Sequence, residues 1–351
     1  MSHEMLQTLW FALIAILWIG FYFLEGFDFG VGMLLTFLGK KDEERRAIIN
    51  AIGPTWDGNE VWLLTAGGAM FAAFPLWYAS MFSGFYLALF LLLVGLIIRG
   101  IAFEYRSKDA NPKWRHTFDW MITIGSFLAA LLLGAAFANL AKGVPINADG
   151  NLVPPEWLPN GLGVTLTLLN PYGLLGGLAT VTVFLVHGAN FLTLKLEGEL
   201  RERARKFAWT LWIAATVAVI LLTIGTYIYT DLLERVGINP GMMPIVSVVA
   251  LLLTGYFIKN KREGWAFVMT SLHIVLTQVT FFAVLMFPRV MISSINSAFD
   301  LTIYNASSSQ YTLTVMSIVA LIFVPIVLAY QTWTYWMFRK RVTTDKKRLV
   351  Y

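Results

Sequence analysis

The sequence contains no cysteine and few charged residues. Only 13% of its 351 residues are charged and 58% are hydrophobic, whereas a soluble domain carries roughly 25% charged residues. The absence of cysteine excludes disulfides, thiolate metal ligands and cysteine nucleophiles. The shortage of charge excludes an ordinary soluble domain and indicates an all-α polytopic membrane protein.

The first residues also lack the marks of a cleaved signal peptide. MSHEMLQTLW has no basic n-region, and no small-residue cleavage site follows it. We therefore expect the first apolar run to be retained as a membrane span. The net charge of +5 could suggest nucleic acid as a partner in a soluble protein. In a membrane protein the position of the charge is more informative, and we expect no nucleic acid.

Apolar runs long enough to cross about 30 Å of hydrocarbon predict nine transmembrane helices in a single membrane domain, 1–351. The seventh predicted helix is the shortest. The predicted helices are 8–38, 55–74, 78–104, 118–140, 164–194, 206–229, 243–258, 265–287 and 310–338.

The distribution of basic residues gives a predicted orientation. With nine helices, 23 lysines and arginines fall on the side that holds the C-terminus, and only Lys142, Arg235 and Arg289 fall on the other side. Cytoplasmic loops carry the excess of basic residues in membrane proteins. We therefore expect the N-terminus outside and the C-terminus in the cytoplasm.

Four carboxylates lie in or beside the first two predicted helices. Asp57 and Glu60 begin the second helix, and Glu25 and Asp28 lie within the first. Each pair is spaced i, i+3, which places both members on one helix face. Glu25 lies roughly 20 Å from the inner end of its helix at the usual rise per residue. If the two helices are neighbours, the carboxylates form a ladder from the cytoplasmic surface toward the middle of the membrane.

These charged residues allow more than one interpretation. Ionisable groups within a membrane are functional by default, but Asp57 could instead cap its helix and Asp28 could hydrogen-bond locally. Arg99, near the inner end of the third predicted helix, could snorkel to the interface. It could equally pair with Glu60 or with an anionic cofactor group.

Glycines and histidines in the spans have structural explanations. Gly26 and Gly30 fit the small-xxx-small pattern of close helix packing better than a nucleotide-binding loop. His187 and His273 are predicted at matching depth, which would permit a bis-histidine haem. A hydrogen-bonded structural histidine is the commoner case, so we expect no cofactor and no metal bound by this chain.

Several long blocks in order give the chain a family resemblance. Together they resemble subunit II of the bacterial cytochrome bd quinol oxidase, over the whole chain from the first predicted helix to the ninth. The blocks are EGFDFGVGML, PTWDGNEVWLLTAGGAMFAAFP, SGFY, FEYRSK, NPYGLLGG and NASSSQYTLTVM.

The resemblance implies a fold, partners and cofactors. The expected fold is two four-helix bundles plus one additional helix. The expected partner is the haem-bearing subunit I of the oxidase, with a small third subunit and with membrane lipid and quinol as further candidates. Subunit I would hold two haems b and one haem d, and some members of the family hold a structural quinone in subunit II.

The resemblance also implies roles for particular residues. The proton-path acids of the family correspond to Asp57 in WDGN and Glu25 in EGFD. Some relatives have aspartate at the position of Glu25, a change that alters geometry but keeps the carboxylate. Glu60 stands where other members carry glutamine.

We therefore expect the non-haem subunit of a quinol:oxygen oxidoreductase in the bacterial cytoplasmic membrane. It would support assembly of the haem subunit and provide a cytoplasmic proton pathway through Asp57, Glu25, Asp28 and Glu60, with Arg99 as a charge partner. The alternative is a proton-coupled secondary transporter, in which intramembrane carboxylates also bind and release protons.

Overall fold

The computed structural model describes residues 1–154, 163–345 and 349, and helices dominate it. A two-stranded sheet pairs β1 (Arg289–Met291) with β2 (Leu301–Thr302) in antiparallel register. The helices are α1 (His3–Leu38), α2 (Asp42–Ile52), α3 (Trp56–Ala73), α4 (Pro75–Gly84), α5 (Tyr86–Tyr105), α6 (Pro112–Lys142), α7 (Gly163–Leu168), α8 (Pro171–Lys195), α9 (Gly198–Tyr229), α10 (Leu232–Val236), α11 (Met242–Lys259), α12 (Glu263–Thr280) and α13 (Gln310–Met337).

Local sequence signals set the starts of the long helices. Asn111 and Asn170 each accept a hydrogen bond from a backbone N–H of the following turn, and each is followed by proline at the first helical position. Ser309 caps α13 in the same way. Such residues satisfy N–H groups that have no partner within the helix.

Eight helices of the described residues are long and apolar enough to cross a membrane, which is one fewer than predicted. They are α1, α5, α6, α8, α9, α11, α12 and α13, of which α5 and α12 continue to Lys108 and Met286. The second predicted span forms as α3, but it is not among the eight. Asp57, Asn59 and Glu60 in its first turns lower its hydropathy. The count of nine spans and their division into two bundles therefore stay predictions.

Two further details differ from the predicted helices. The run predicted as one helix over 78–104 is divided at Phe85, where α4 ends and α5 begins. The loop after the first span contains α2, whose buried residues include Ala47, Ile48 and Ile52. No helix was predicted there, because α2 is short and rich in charge.

Helix α1 lies at the centre of the molecule and packs against α3, α6, α8 and α12. The contact with α8 is close because glycines meet there. A Cβ atom added at Gly30 would lie 2.0 Å from the carbonyl oxygen of Phe184 and 2.9 Å from the backbone of Gly188. The predicted close packing at Gly30 is thus confirmed, since no larger residue fits at this position.

Polar contacts at one end of the molecule join α1 to α13. Gln7 donates to the Oγ atom of Ser307 at 2.7 Å, and Trp10 donates to the carbonyl oxygen of Leu313 at 3.1 Å. The sheet and residues 303–309 connect α12 to α13, and the contacts of Gln7 with Tyr304 and Ser307 place this connecting segment beside the start of α1. Of residues 141–163, which connect the fourth and fifth predicted helices, the structure describes 141–154 and 163.

Candidate functional site

Helix α1 buries two carboxylates in the interior of the protein. The side chains of Glu25 and Asp28 are both 0% exposed. They lie one turn apart on the same side of α1, as their spacing predicted. A buried carboxylate is costly unless it is paired or protonated, so the residues around this pair determine what it can do.

Arg99 of α5 is the cation that meets these carboxylates. Its Nη2 atom lies 2.8 Å from Oε1 of Glu25, and its Nη1 atom donates to Oε1 of Glu60 on α3. The Nη2 contact is an ion pair without the alignment of a hydrogen bond. Arg99 is itself 0% exposed, so it pairs within the protein and does not snorkel. Pairing with Glu60 was one of the predicted alternatives, whereas pairing with Glu25 was not predicted.

Aromatic rings surround the guanidinium of Arg99. Its Cζ atom lies 5.0 Å from the ring centroids of Phe29 and Phe103 and 5.7 Å from that of Trp56. Ring faces attract cations at these distances. The rings therefore stabilise a positive charge in an environment that provides few other polar contacts.

The charges in this cluster do not balance. Glu25, Asp28 and Glu60 would contribute three negative charges when ionised, and Arg99 contributes one positive charge. The formal sum is −2, which low-dielectric surroundings disfavour. The carboxylates can reduce this charge by taking up protons, so the arrangement is chemically suited to hold and exchange protons.

A second set of polar side chains holds Asp28. The Nδ2 atom of Asn59 donates to Oδ2 of Asp28 at 2.6 Å. Tyr335 and Gln331 of α13 donate to Oδ1 of Asn59 at 2.9 and 3.4 Å. None of these three residues was predicted from the sequence. Asn59 carried a signal, since it lies within one turn of Asp57 and Glu60, but α13 is too far along the chain for local spacing to indicate it.

Asp57 lies outside this buried group. It is in the first turn of α3 and is exposed, while its negative charge acts on Glu60 in the next turn. The predicted ladder is therefore present in part. Glu25, Asp28 and Glu60 converge around Arg99, and Asp57 stands at the exposed end of the same helix as Glu60.

The two histidines of the spans bond to their own chain. Nε2 of His187 lies 3.0 Å from the carbonyl oxygen of Phe23, and its ring stacks on Phe267 with centroids 4.8 Å apart. Nδ1 of His273 lies 2.9 Å from Oγ of Ser247. The described residues contain no group of three or more His, Cys, Asp or Glu side chains that could hold a metal ion. These contacts correspond to the structural interpretation of both histidines.

A cavity of about 440 Å³ lies among α6, α8, α9, α11 and α12. Its walls are mainly apolar, and Tyr22, His273 and Gln278 contribute polar atoms. Within the described part of the chain, the hydroxyl of Tyr22 and Oε1 of Gln278 have no hydrogen-bond partner although both are buried. The cavity could therefore receive an apolar ligand with a small polar head.

Comparison with known proteins identifies relatives over nearly the full chain. The family model described as cytochrome bd terminal oxidase subunit II matches residues 6–338. The cytochrome bd ubiquinol oxidase subunit 2 of Bacillus subtilis is 44% identical over 346 residues, covering 99% of both chains. The cytochrome bd-I ubiquinol oxidase subunit 2 of Escherichia coli K12 is 40% identical over 374 residues, covering 98% of this chain and 97% of its own.

A structural comparison agrees on the fold. A chain of the bd oxidase from Geobacillus thermodenitrificans matches with a TM-score of 0.72 and 16% identity, over 95% of this chain and 98% of that one. The apolar helices and the relatives indicate an integral protein of the bacterial inner membrane. They favour an oxidase subunit over a secondary transporter. The chain therefore belongs to the cytochrome bd terminal oxidase subunit II family.

Proposed function

We propose that this chain is the non-haem subunit of a quinol:oxygen oxidoreductase and that it conducts protons from the cytoplasm toward a haem-bearing subunit I. The relatives named as cytochrome bd ubiquinol oxidase subunits support the reaction. The observation that carries the proton role is the buried cluster of Glu25, Asp28 and Glu60 around a single Arg99. Carboxylates of this kind mark proton relays within membranes.

The order of the acids along the route follows from their exposure. Asp57 is exposed at the start of α3 and is hydrated there, so it collects protons. Glu60 is next on the same helix, and its side chain is 20% exposed. Arg99 joins Glu60 to Glu25, which is fully buried beside Asp28. Reduction of O₂ to water consumes protons, and hydrocarbon conducts none, so titratable groups of this kind must supply them.

The haems belong to subunit I in this proposal. Both buried histidines have hydrogen-bond partners within this chain, and the haems supply the oxygen chemistry from the partner subunit. A structural quinone of the kind that some family members hold would place its head group in the cavity of about 440 Å³, where apolar side chains would contact it and Tyr22 and Gln278 would provide polar groups.

The proposed orientation places the N-terminus outside and the C-terminus in the cytoplasm, so that Asp57 faces the proton source. The distribution of lysine and arginine supports it. A reporter fused after Tyr351 should be cytoplasmic, and a reporter inserted at Gly150 should be external. Location of both reporters on the same side would contradict the proposed topology.

The proton role is tested by removing charge without removing shape. Asp57→Asn and Glu25→Gln keep size and hydrogen-bonding capacity but cannot carry a proton. We expect complexes with normal haem content that lose most quinol oxidase turnover, by about 100-fold for Glu25→Gln. Asp149→Asn, at an exposed position between α6 and α7, is the matched control and should keep full turnover.

Two results would contradict the proposal in different ways. If the haems are lost in Glu25→Gln, the carboxylate supports assembly and not proton transfer. If turnover is unchanged in both acid variants, the protons follow another route. Measurement of haem absorption beside O₂ consumption separates these outcomes.

A further inference from the structure

The hydrogen bonds around Asn59 fix which way its side-chain amide points. Two donors, the hydroxyl of Tyr335 and the amide nitrogen of Gln331, meet its Oδ1 atom. Its Nδ2 atom therefore faces Asp28, to which it donates at 2.6 Å. Asn59 is 0% exposed, so these partners and not solvent decide its orientation.

The donors to Asn59 come from a helix with few other buried contacts. Leu313 is the buried residue of α13, and it lies near the opposite end of that helix. Gln331 and Tyr335 are one turn apart on the same face, and Oε1 of Gln331 accepts from the indole of Trp62 on α3 at 3.0 Å. Lipid tails are as apolar as the side chains of the helices, so the hydrophobic effect does not drive membrane helices together. Packing and polar contacts between the helices hold them instead. This small network therefore attaches the second half of α13 to α3.

We propose that Asn59 is a positioning residue for Asp28. Tyr335 and Gln331 fix the orientation of the Asn59 amide, so α13 determines how Asn59 faces Asp28. Asn59 occupies Oδ2 of Asp28 and leaves Oδ1, which is buried and has no hydrogen-bond partner among the described residues. Oδ1 is then the atom on which Asp28 receives a proton. This inference rests on the proposed proton role of the cluster.

The chemistry of an amide explains why asparagine suits this position. An amide N–H donates a hydrogen bond to a carboxylate but does not readily give up its proton, so Asn59 orients Asp28 without joining the relay. The other charged or titratable groups around Asp28 are Glu25 on its own helix, Glu60 on α3, Arg99 on α5 and Tyr335 on α13. A shift of α13 would reach Asp28 through Asn59 and would change how firmly Asp28 holds a proton.

The test compares variants of the assembled oxidase by turnover against pH and by the infrared band of the protonated Asp28 carboxyl, assigned with Asp28→Asn. Asn59→Leu removes the donated bond that favours the ionised carboxyl. We expect turnover to fall about tenfold, since hydrogen bonds to charged groups are the stronger ones, with the pH profile displaced to higher pH and the band shifted. Tyr335→Phe should cause a smaller change in the same direction, because Gln331 still holds Asn59.

Tyr330→Phe is the matched control, because Tyr330 is on the same helix but its side chain is 65% exposed. It should leave the profile and the band unchanged. If Asn59→Leu does not assemble, Tyr335→Phe decides, and a wild-type profile and band in that variant overturn the inference. If Asn59→Leu and Tyr335→Phe both keep the wild-type pH profile while Glu25→Gln is inactive, Asn59 does not position Asp28. The proposed function would then still hold. Full turnover in Glu25→Gln would contradict the proposed function. A shifted infrared band of Asp28 in Asn59→Leu would still support positioning by Asn59.

Discussion

Two of the buried polar regions in the described part of this membrane protein differ in whether their side chains are charged. The region around Arg99 combines carboxylates and a guanidinium, and its residues Glu25, Asp28 and Arg99 are all fully buried. The region around His187 and His273 contains polar groups that can remain neutral, bonded to a backbone carbonyl or a serine. Charge is costly to bury and a hydrogen-bonded neutral ring is much less so. The side chains of the first region are therefore more costly to bury than those of the second.

Aromatic rings contact the polar side chains of both regions, but in different roles. Phe29, Trp56 and Phe103 surround Arg99, whereas Phe267 stacks on His187. In the first case rings surround a charged guanidinium, and in the second a ring stacks on an imidazole that can remain neutral. The same residue type thus supports a charged site in one region and an apolar core in the other.

The largest expected effect comes from removing the cation. Arg99→Met would leave Glu25 and Glu60 without their positive partner, and breaking a buried ion pair from one side costs about 3–5 kcal/mol. We expect a strong loss of assembled complex and a lower unfolding temperature. Arg99→Lys should be intermediate, since lysine keeps the charge but not the planar fork that reaches both acids.

Arg262→Met provides the control for this prediction. Arg262 is exposed at the turn between α11 and α12, so its loss should leave assembly near wild type. Thermal unfolding and haem content of the purified complexes measure both variants. Normal assembly of Arg99→Met would show that the carboxylates do not need this cation, and the contrast between the two regions would fail.

A much smaller effect is expected in the histidine region. His187→Gln and His273→Gln replace one hydrogen-bonding side chain by another, and a side-chain amide does not normally serve as an axial haem ligand. Both variants should retain the haem absorption spectrum and turnover close to wild type. Loss of one b-type signal in both variants would mean that this chain ligates a haem, which would make the second region functional as well.

The smallest effect is expected where a carboxylate lies near water. Burial would raise the pKa of Glu44 in α2, but hydrogen bonds from Arg203 and from the backbone N–H groups of Lys40 and Lys41 outweigh it and lower the pKa. A lowered pKa in the folded state means that the stabilisation is present above the unfolded pKa. It is lost as the pH falls through the folded value.

We therefore expect Glu44→Gln to destabilise the complex slightly at neutral pH, by about 1 kcal/mol or less. The difference from wild type should stay constant from about pH 7 to about pH 5 and shrink as the pH falls below about 4, so the measured range runs from about pH 7 to about pH 3. Thermal unfolding across that range measures it, with Glu199→Gln at an exposed position of α9 as the control. A difference in stability between Glu44→Gln and wild type that grows toward acid pH would contradict a lowered pKa of Glu44 in the folded state.

Much of the architecture could be predicted because it depends on local composition. Apolar runs gave the long helices, and Asn-Pro and serine signals agree with where several of them begin. The division of the third predicted helix at Phe85 and the short helix α2 were not predicted. Neither interrupts the pattern of apolarity and charge on which the prediction depended, so only the folded backbone reveals them.

The sequence alone determined that this protein belongs in a membrane and which acids are out of place there, because chain composition and helical spacing carry that information. It did not determine which cation meets Glu25, or that Tyr335 holds Asn59 from 276 residues further along the chain. Only the tertiary structure decided those pairs. Helix periodicity specifies the face on which a side chain lies, whereas the packing of distant helices specifies what that face meets.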